Sequence, residues 1–258
     1  MKSFPAAIQD GIQFAAELLQ RAQRTVVLTG AGLSTPSGIP DFRSEGTGLW
    51  AHEEPLAVAS LATFRTHPEK FYAWFRPLAA QIFEARPNAA HLELARLERE
   101  GRLATVVTQN IDMLHQKAGS NNIIEMHGSL STMSCTQCFQ KVDSLPYLKP
   151  FVDQGAIPHC PHCGAVLKPD VILFGEQLPQ KSWSAAQRAS RACDLMIVAG
   201  SSLEVLPVAG LPMQAIDRAA HLLILNNSPT YLDVRADVVL HGDVVDLIPA
   251  IVQQALHG

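Results

Sequence analysis

Five short apolar runs constrain what this chain can fold into: T-V-V-L at 25–28, A-T-V-V-T at 104–108, L-M-I-V-A at 195–199, H-L-L-I-L at 221–225 and A-D-V-V-L at 236–240. Runs this short, several of them rich in β-branched side chains, suit strands buried on both faces. Helical patterns lie between and around them. Residues 5 to 23 carry Ala7, Ile8, Ile12, Ala15, Leu18 and Leu19 at helical spacing, and further candidates lie at 88–99, 179–192, 207–219 and 244–256. Alternation of this kind predicts an α/β fold, a mostly parallel sheet with helices on both faces.

Two segments break the alternation. Residues 45–85 are aromatic, with short helical patches around Phe64, Phe71, Tyr72, Trp74 and Phe75, and read as a helical insert. Residues 128–168 hold four of the five cysteines among turn residues and read as an inserted module. The remaining stretches, 1–44, 86–127 and 169–258, make up the main domain. A chain of 258 residues, 47% hydrophobic and 17% charged, has the material for a sizeable core. Its net charge of -4 gives no electrostatic reason to expect nucleic-acid binding. The start M-K-S-F-P-A-A-I-Q-D lacks the apolar stretch of a secretory leader, and no apolar run approaches membrane-spanning length. The expectation is a cytoplasmic protein without membrane contact.

The first strand runs straight into T-G-A-G-L-S-T-P-S-G-I-P-D-F-R at 29–43. Gly30 and Gly32 permit a tight turn and close approach of backbone to a diphosphate. The full G-x-G-x-x-G pattern fails because Thr35 stands at the third glycine position. On its own the pair is equally consistent with an ordinary tight turn. Asp41 and Arg43 flank Phe42 and read either as part of a ligand wall or as a local ion pair.

Cys135-Thr-Gln-Cys138 and Cys160-Pro-His-Cys163 are two C-x2-C hooks separated by 21 residues. Four thiolates complete a tetrahedral Zn2+ shell and leave no open position, which predicts a structural metal rather than a catalytic one. An Fe–S cluster or a redox dithiol fits the spacing less naturally. Cys193 reads as a core thiol. T-Q-N-I-D at 108–112 ends the second strand, where open α/β sheets bind ligands. His127, between I-I-E-M and Gly128, reads either as a satisfied structural histidine or as a general base.

Taken together the motifs resemble the sirtuin (Sir2) family of NAD-dependent protein deacylases. The matching pieces are G-A-G-L-S at 30–34, G-I-P-D-F-R at 38–43, T-Q-N-I-D at 108–112, H-G at 127–128, the two hooks, G-S-S at 200–202 and N-N-S-P at 226–229. They run in family order along essentially the whole chain. The resemblance implies a Rossmann-like NAD-binding domain, and a small domain combining the zinc module with the helical insert. It implies removal of acetyl groups from protein lysines, giving nicotinamide, O-acetyl-ADP-ribose and free lysine.

By the same resemblance the NAD contacts are Gly30, Ala31, Gly32, Ser34, Ile39, Asp41, Phe42, Arg43, Gln109, Asn110, Asp112, Gly200, Ser201 and Asn226. His127 and Asn110 are the catalytic pair, with His127 as the base. Ile172, Leu173, Phe174, Gly175 and Glu176 match the segment that pairs with an acetyl-lysine peptide or protein, with Phe174 lining the acyl-lysine tunnel. The relatives that favour succinyl groups carry Tyr-x-x-Arg in the helical insert. Here Phe75 stands where that arginine would be, three residues after Tyr72, so acetyl is the expected acyl group. Mono-ADP-ribosyl transfer and a non-catalytic NAD or acyl-lysine binding module are the alternative functions.

Overall fold

In the computed structural model, residues 4–41, 48–49 and 54–257 are described. Helix α1 (Ala6–Arg21) leads into strand β1 (Thr25–Thr29) and then into two tight helical turns over 31–37. Three helices of the aromatic insert follow: α2 (Pro55–Val58), α3 (Leu61–Thr66) and α4 (Pro68–Glu84). Helix α5 (Ala89–Arg99) is capped by Asn88, whose side-chain oxygen accepts from the amides of Ala90 and His91. Next come β2 (Thr105–Thr108), the short α6 (Leu114–Ala118) and β3 (Ile123–Glu125).

The cysteine module contributes β4 (Gly128–Cys135), β5 (Lys141–Asp143), α7 (Leu145–Gln154) and β6 (Leu167–Val171). The chain then returns through α8 (Gln180–Ala192), β7 (Leu195–Ala199), α9 (Leu211–Ile216), β8 (His221–Asn226), β9 (Val238–His241) and α10 (Val244–His257). The candidate helix at 207–219 is thus trimmed to 211–216. Pro212 lacks an amide to donate and sits where a helix tolerates that loss, in the first turn.

Six strands form one parallel sheet in the order β3-β2-β1-β7-β8-β9. Every residue of β1 and β7 is buried, as the apolar runs require. Alternate side chains serve opposite faces. Val27, Ile197, Leu223 and Leu225 pack with α1, α5 and α10 through Leu19, Leu94 and Ile251. Val26, Leu28, Met196 and Val198 pack with α8 and α9 through Ala186, Leu211 and Ala215. Full burial of a Val, Leu or Ile contributes roughly 1.5–3 kcal/mol, so the two layers set the sheet's position.

The order places β1 beside both β2 and β7. The chain winds outward from β1 to β3 in one direction, then crosses back to β7 on the other side. That reversal opens a crevice at the carboxyl ends of β1 and β7, where open α/β sheets take ligands.

A second, antiparallel sheet has the order β5-β4-β6. Its strands were not legible as strands, because β4 reads G-S-L-S-T-M-S-C and its buried residues do not alternate strictly. The helical insert joins it through aromatic packing. Phe71 stacks on Phe75 at 5.2 Å, and Phe75 on Phe151 of α7 at 6.1 Å. Among the described residues, no helix is long and apolar enough to cross a membrane.

Candidate active site

The crevice between β1 and β7 is built by backbone contact. The amide of Gly30 donates to Ala199 O at 3.2 Å, and that of Gly32 to Gly200 O at 2.9 Å. Gly200 has φ +62°, and a Cβ there would lie 2.3 Å from the Leu33 nitrogen. A side chain at Gly30 would meet Gly200 O at 2.7 Å. Only glycine at these positions lets the two loops touch.

A polar network lines the crevice. Ser34 Oγ donates to Asp112 Oδ2 at 2.6 Å, and the amide of Leu114 donates to Oδ1 at 2.8 Å. Asn110 Nδ2 donates to Gly30 O at 3.0 Å and to Ser34 Oγ at 3.1 Å. Burial raises the pKa of Asp112, opposed by the Ser34 and Leu114 hydrogen bonds and the charge of Lys117. Gln109 Nε2 donates to Ser201 Oγ at 3.0 Å, tying the β2 loop to the β7 loop. Met113 and Leu203, in those two loops, hold left-handed backbone at φ 62° and 56°. Strain of this kind in non-glycine residues concentrates at ligand sites.

His127 lies between β3 and β4. Its Nδ1 is 3.0 Å from Gln109 O. A carbonyl only accepts, so Nδ1 carries the proton and Nε2 is the basic nitrogen. The same loop that ties to Ser201 therefore sets the tautomer of the histidine.

Beside His127, Gln109 and Asn110 opens a cavity of about 600 Å3. One wall is Phe71, Trp74, Phe75 and Leu78 of α4; Trp183 of α8 adds another. The segment from Ile172 to Glu176 lines the same cavity, so the structure brings the five predicted peptide residues to the histidine. A mostly apolar pocket with a few polar groups at one end suits an uncharged ligand held near a reacting centre.

The four hook cysteines converge in the small module. Their sulfurs lie within 4.8 Å of one another, with Cys135–Cys163 at 3.4 Å and Cys138–Cys160 at 3.6 Å. All four are free of disulfides. Zn–S bonds of about 2.3 Å in a tetrahedron place sulfurs about 3.8 Å apart, so the cluster fits a structural Zn2+. Cys193 is buried away from it, and burial pushes its thiol up to about 11.

The other predicted contacts are dispersed around the crevice. Ala31 lies in the turn after Gly30. Ile39 is buried in the aromatic cluster with Phe64 and Leu114. The carbonyl of Asp41 accepts from the Leu49 amide at 2.9 Å. Asn226, at the end of β8, turns its Nδ2 onto Ser228 O at 2.8 Å. Phe42 and Arg43 lie outside the described residues.

Sequence reasoning missed the layer beneath the glycine loop. Asn88 Nδ2 donates to Leu33 O at 2.8 Å and to Ser37 Oγ at 3.0 Å while its oxygen caps α5. The Pro-Asn pair ahead of an amphipathic helix is a cap signal, but nothing local shows what the amide would reach.

Comparison with known proteins gives one consistent answer. A family model described as the Sir2 family matches residues 30–207. The NAD-dependent protein deacylase 2 of Archaeoglobus fulgidus is 42% identical over 248 residues, 96% of this chain and 97% of that protein. The NAD-dependent protein deacetylase 2 of Caldanaerobacter subterraneus subsp. tengcongensis is 46% identical over 227 residues, 88% of each. Among solved structures, a chain from work on the mechanism and regulation of Sir2 enzymes superposes with TM-score 0.90 at 41% identity, covering 96% of this chain and 98% of that one. A Sir2 chain with a deacetylated p53 peptide and 3′-O-acetyl ADP-ribose gives TM-score 0.88 at 37% identity, covering 94% and 98%. One with a p53 peptide and NAD+ gives 0.83 at 37%, covering 94% and 97%.

Proposed function

Because the chain belongs to the Sir2 family, we propose that it is an NAD-dependent protein-lysine deacetylase. It takes acetyl-lysine proteins or peptides and yields nicotinamide, O-acetyl-ADP-ribose and free lysine. The observation that carries this reading is the position of His127. It lines the apolar cavity together with the peptide segment, and its Nδ1 is anchored to the loop that borders the dinucleotide crevice.

The crevice fits NAD on its own chemistry: glycine loops in backbone contact, and the side chains of Ser201, Gln109, Asn110 and Asn226 at the strand ends. NAD bound there would supply an electrophilic ribose carbon, which loses nicotinamide as it bonds to the acyl oxygen. By the family resemblance Gly30, Gly32, Ser34, Gly200, Ser201 and Asn226 hold the dinucleotide, Ala31, Ile39, Asp41 and Phe42 match its nicotinamide side, and Arg43 matches a phosphate and ribose contact. Asp112, held by Ser34 and Leu114, receives the nicotinamide amide. Asn110 is oriented by two hydrogen bonds and positions the ribose end, together with Gln109. His127 Nε2 takes a ribose hydroxyl proton, and Nδ1 stays on Gln109 O so that the ring does not turn.

The rings and aliphatic side chains of the cavity walls would surround the acyl-lysine with apolar surface. The edge that receives the peptide backbone is Ile172 to Glu176. Cys135, Cys138, Cys160 and Cys163 hold the zinc, whose contribution is to fold the module rather than to react. Cysteines committed to metal hooks rather than to a disulfide framework are in keeping with a cytoplasmic location.

Acyl preference follows from the α4 wall. Tyr72 is occupied with Leu167 O at 2.5 Å, and Arg76 with Val152 O and Asp153 O at 2.9 and 3.0 Å. Phe75 occupies the wall between them. A succinyl carboxylate in this pocket meets rings instead of a cation.

The test is mass spectrometry of an acetyl-lysine peptide incubated with and without NAD, beside a His127→Ala protein. NAD-dependent loss of acetyl with O-acetyl-ADP-ribose released, and at least about a hundredfold less product from the variant, is expected. An unchanged peptide, or ADP-ribosylated protein as the main product, would overturn the assignment.

A further inference from the structure

The segment that lines the cavity is held by an ion pair that the chemistry above does not use. Ile172 donates its amide to His127 O at 2.8 Å, tying the segment to the histidine. Phe174 donates to Ala59 O at 3.0 Å and accepts from the Leu61 amide at 2.9 Å, tying it to the helical insert. From Leu173 to Glu176, through and just past the second anchor, the chain makes a tight turn. The Glu176 amide donates to Leu173 O at 3.0 Å, and Gly175 takes φ +86°.

The turn is closed a second time by side chains. Glu176 Oε2 accepts the Leu173 amide at 2.8 Å and lies 2.9 Å from Lys168 Nζ. Lys168 Nζ also donates to Val171 O at 2.7 Å and Pro169 O at 3.2 Å. An ammonium has three donors, and here all three are spent between the end of β6 and the turn. Both side chains are more than four-fifths buried.

A backbone turn with a glycine at the left-handed position closes without such a pair. Burying two charges costs desolvation that their mutual attraction does little more than offset, so an apolar pair of similar volume would serve stability as well or better. What the ion pair adds is direction. It fixes where the Leu173 amide points, and it holds the turn at one height above β6. That leaves the backbone groups of Gly175 without a partner among the described residues, at the rim of the cavity that Phe174 lines.

We propose that Lys168 and Glu176 are positioning residues that clamp the 173–176 turn in the shape that receives the acetyl-lysine peptide. They act on peptide affinity and not on the dinucleotide. This inference rests on the deacetylase reading, and its test separates the two.

Wild-type, Glu176→Gln, Lys168→Met and Lys168→Arg proteins, each zinc-loaded and full length, are titrated with a fluorescein-labelled acetyl-lysine peptide and, separately, with ADP-ribose. Glu176→Gln keeps an acceptor for the Leu173 amide but loses the charge. Lys168→Arg keeps the charge and enough donors to regrip the turn. Glu176→Gln and Lys168→Met are expected to weaken peptide binding about tenfold, the scale of a charge-assisted hydrogen bond. ADP-ribose binding is expected to stay within about twofold, and Lys168→Arg to recover most of the loss.

A purely structural pair would weaken both ligands together and lower Tm without rescue, and that result overturns the proposal. So does peptide affinity unchanged in both Glu176→Gln and Lys168→Met. Failure of the deacetylase reading shows differently, as wild-type protein that neither binds nor turns over the peptide with NAD present.

Discussion

Two histidines beneath the glycine loop make acid stability a sharp test of the structure. The rings of His91 and His115 lie 5.0 Å apart, and both are buried. Burial holds His91 down to about 4; burial, and then the neighbouring His91, holds His115 down to about 3. Their hydrogen bonds assign the neutral tautomers. His91 Nδ1 donates to Asn88 Oδ1 at 2.9 Å. Thr29 Oγ1 donates onward to Thr108 Oγ1, so it accepts from His115 Nε2 at 3.0 Å.

In the unfolded chain both imidazoles return to about 6.5. As pH falls from 6 to 5 the unfolded state binds nearly two protons that the folded state refuses. Stability therefore rises with pH through this window and is lost on acidification. At about 1.4 kcal/mol per proton per pH unit, less the incomplete titration at each end, the pair removes about 2 kcal/mol between pH 6 and pH 5. Asp112 works in the opposite sense, because burial raises its carboxyl and a raised acid loses stability as pH increases.

The comparison that isolates the histidines is a double variant, His91→Asn with His115→Gln. Each replacement keeps an amide N–H near the nitrogen that donates and cannot titrate. Urea unfolding at pH 7, 6 and 5 gives the free energies. The variant starts lower because of imperfect packing, but its loss from pH 6 to 5 is smaller than that of wild type by about 2 kcal/mol. Protonation of the zinc thiolates affects both proteins alike. Parallel pH profiles would refute the argument that two neutral histidines lie buried together here.

Three further outcomes follow from the same structure. A succinyl-lysine peptide should show kcat/KM at least about a hundredfold below its acetyl counterpart, while Phe75→Arg narrows that gap in paired assays; equal turnover of both peptides by wild type would contradict the α4 wall. Gly200→Ala places a Cβ 2.3 Å from Leu33 N at a positive φ, so it should lower stability by about 2 kcal/mol or more and abolish ADP-ribose binding, read by calorimetry. Stripping zinc with a strong chelator should lower Tm and abolish deacetylation together, and adding back Zn2+ should restore both. Activity and Tm that persist unchanged in demonstrably metal-free protein would contradict the requirement of the ion for the module's fold.

The parts of this protein that were legible in its sequence are those written in local periodicity. Five apolar runs marked five strands of the main sheet, because burial on both faces demands unbroken apolar side chains over a few residues. Paired C-x2-C hooks marked the zinc site, since four thiolates at that spacing have few other uses. The ordered motifs marked the family. None of these needs knowledge of which strand lies beside which.

Tertiary structure decided everything that depends on strand order and chain crossing. β1 lies between β2 and β7, and that alone brings Ser34 to Asp112 and Gln109 to Ser201, pairs separated by 78 and 92 residues. The tautomer of His127 is set by a carbonyl 18 residues away. The cavity needs α4, α8 and the β6 exit at once, which is why Trp183 and Leu78 carried no signal. Lys168, His91 and His115 look in sequence like ordinary polar residues near a strand or on a helix, and the motif that holds Glu176 does not show its partner. A hydrogen bond or a buried charge depends on distance in space, and the sequence records distance only along the chain.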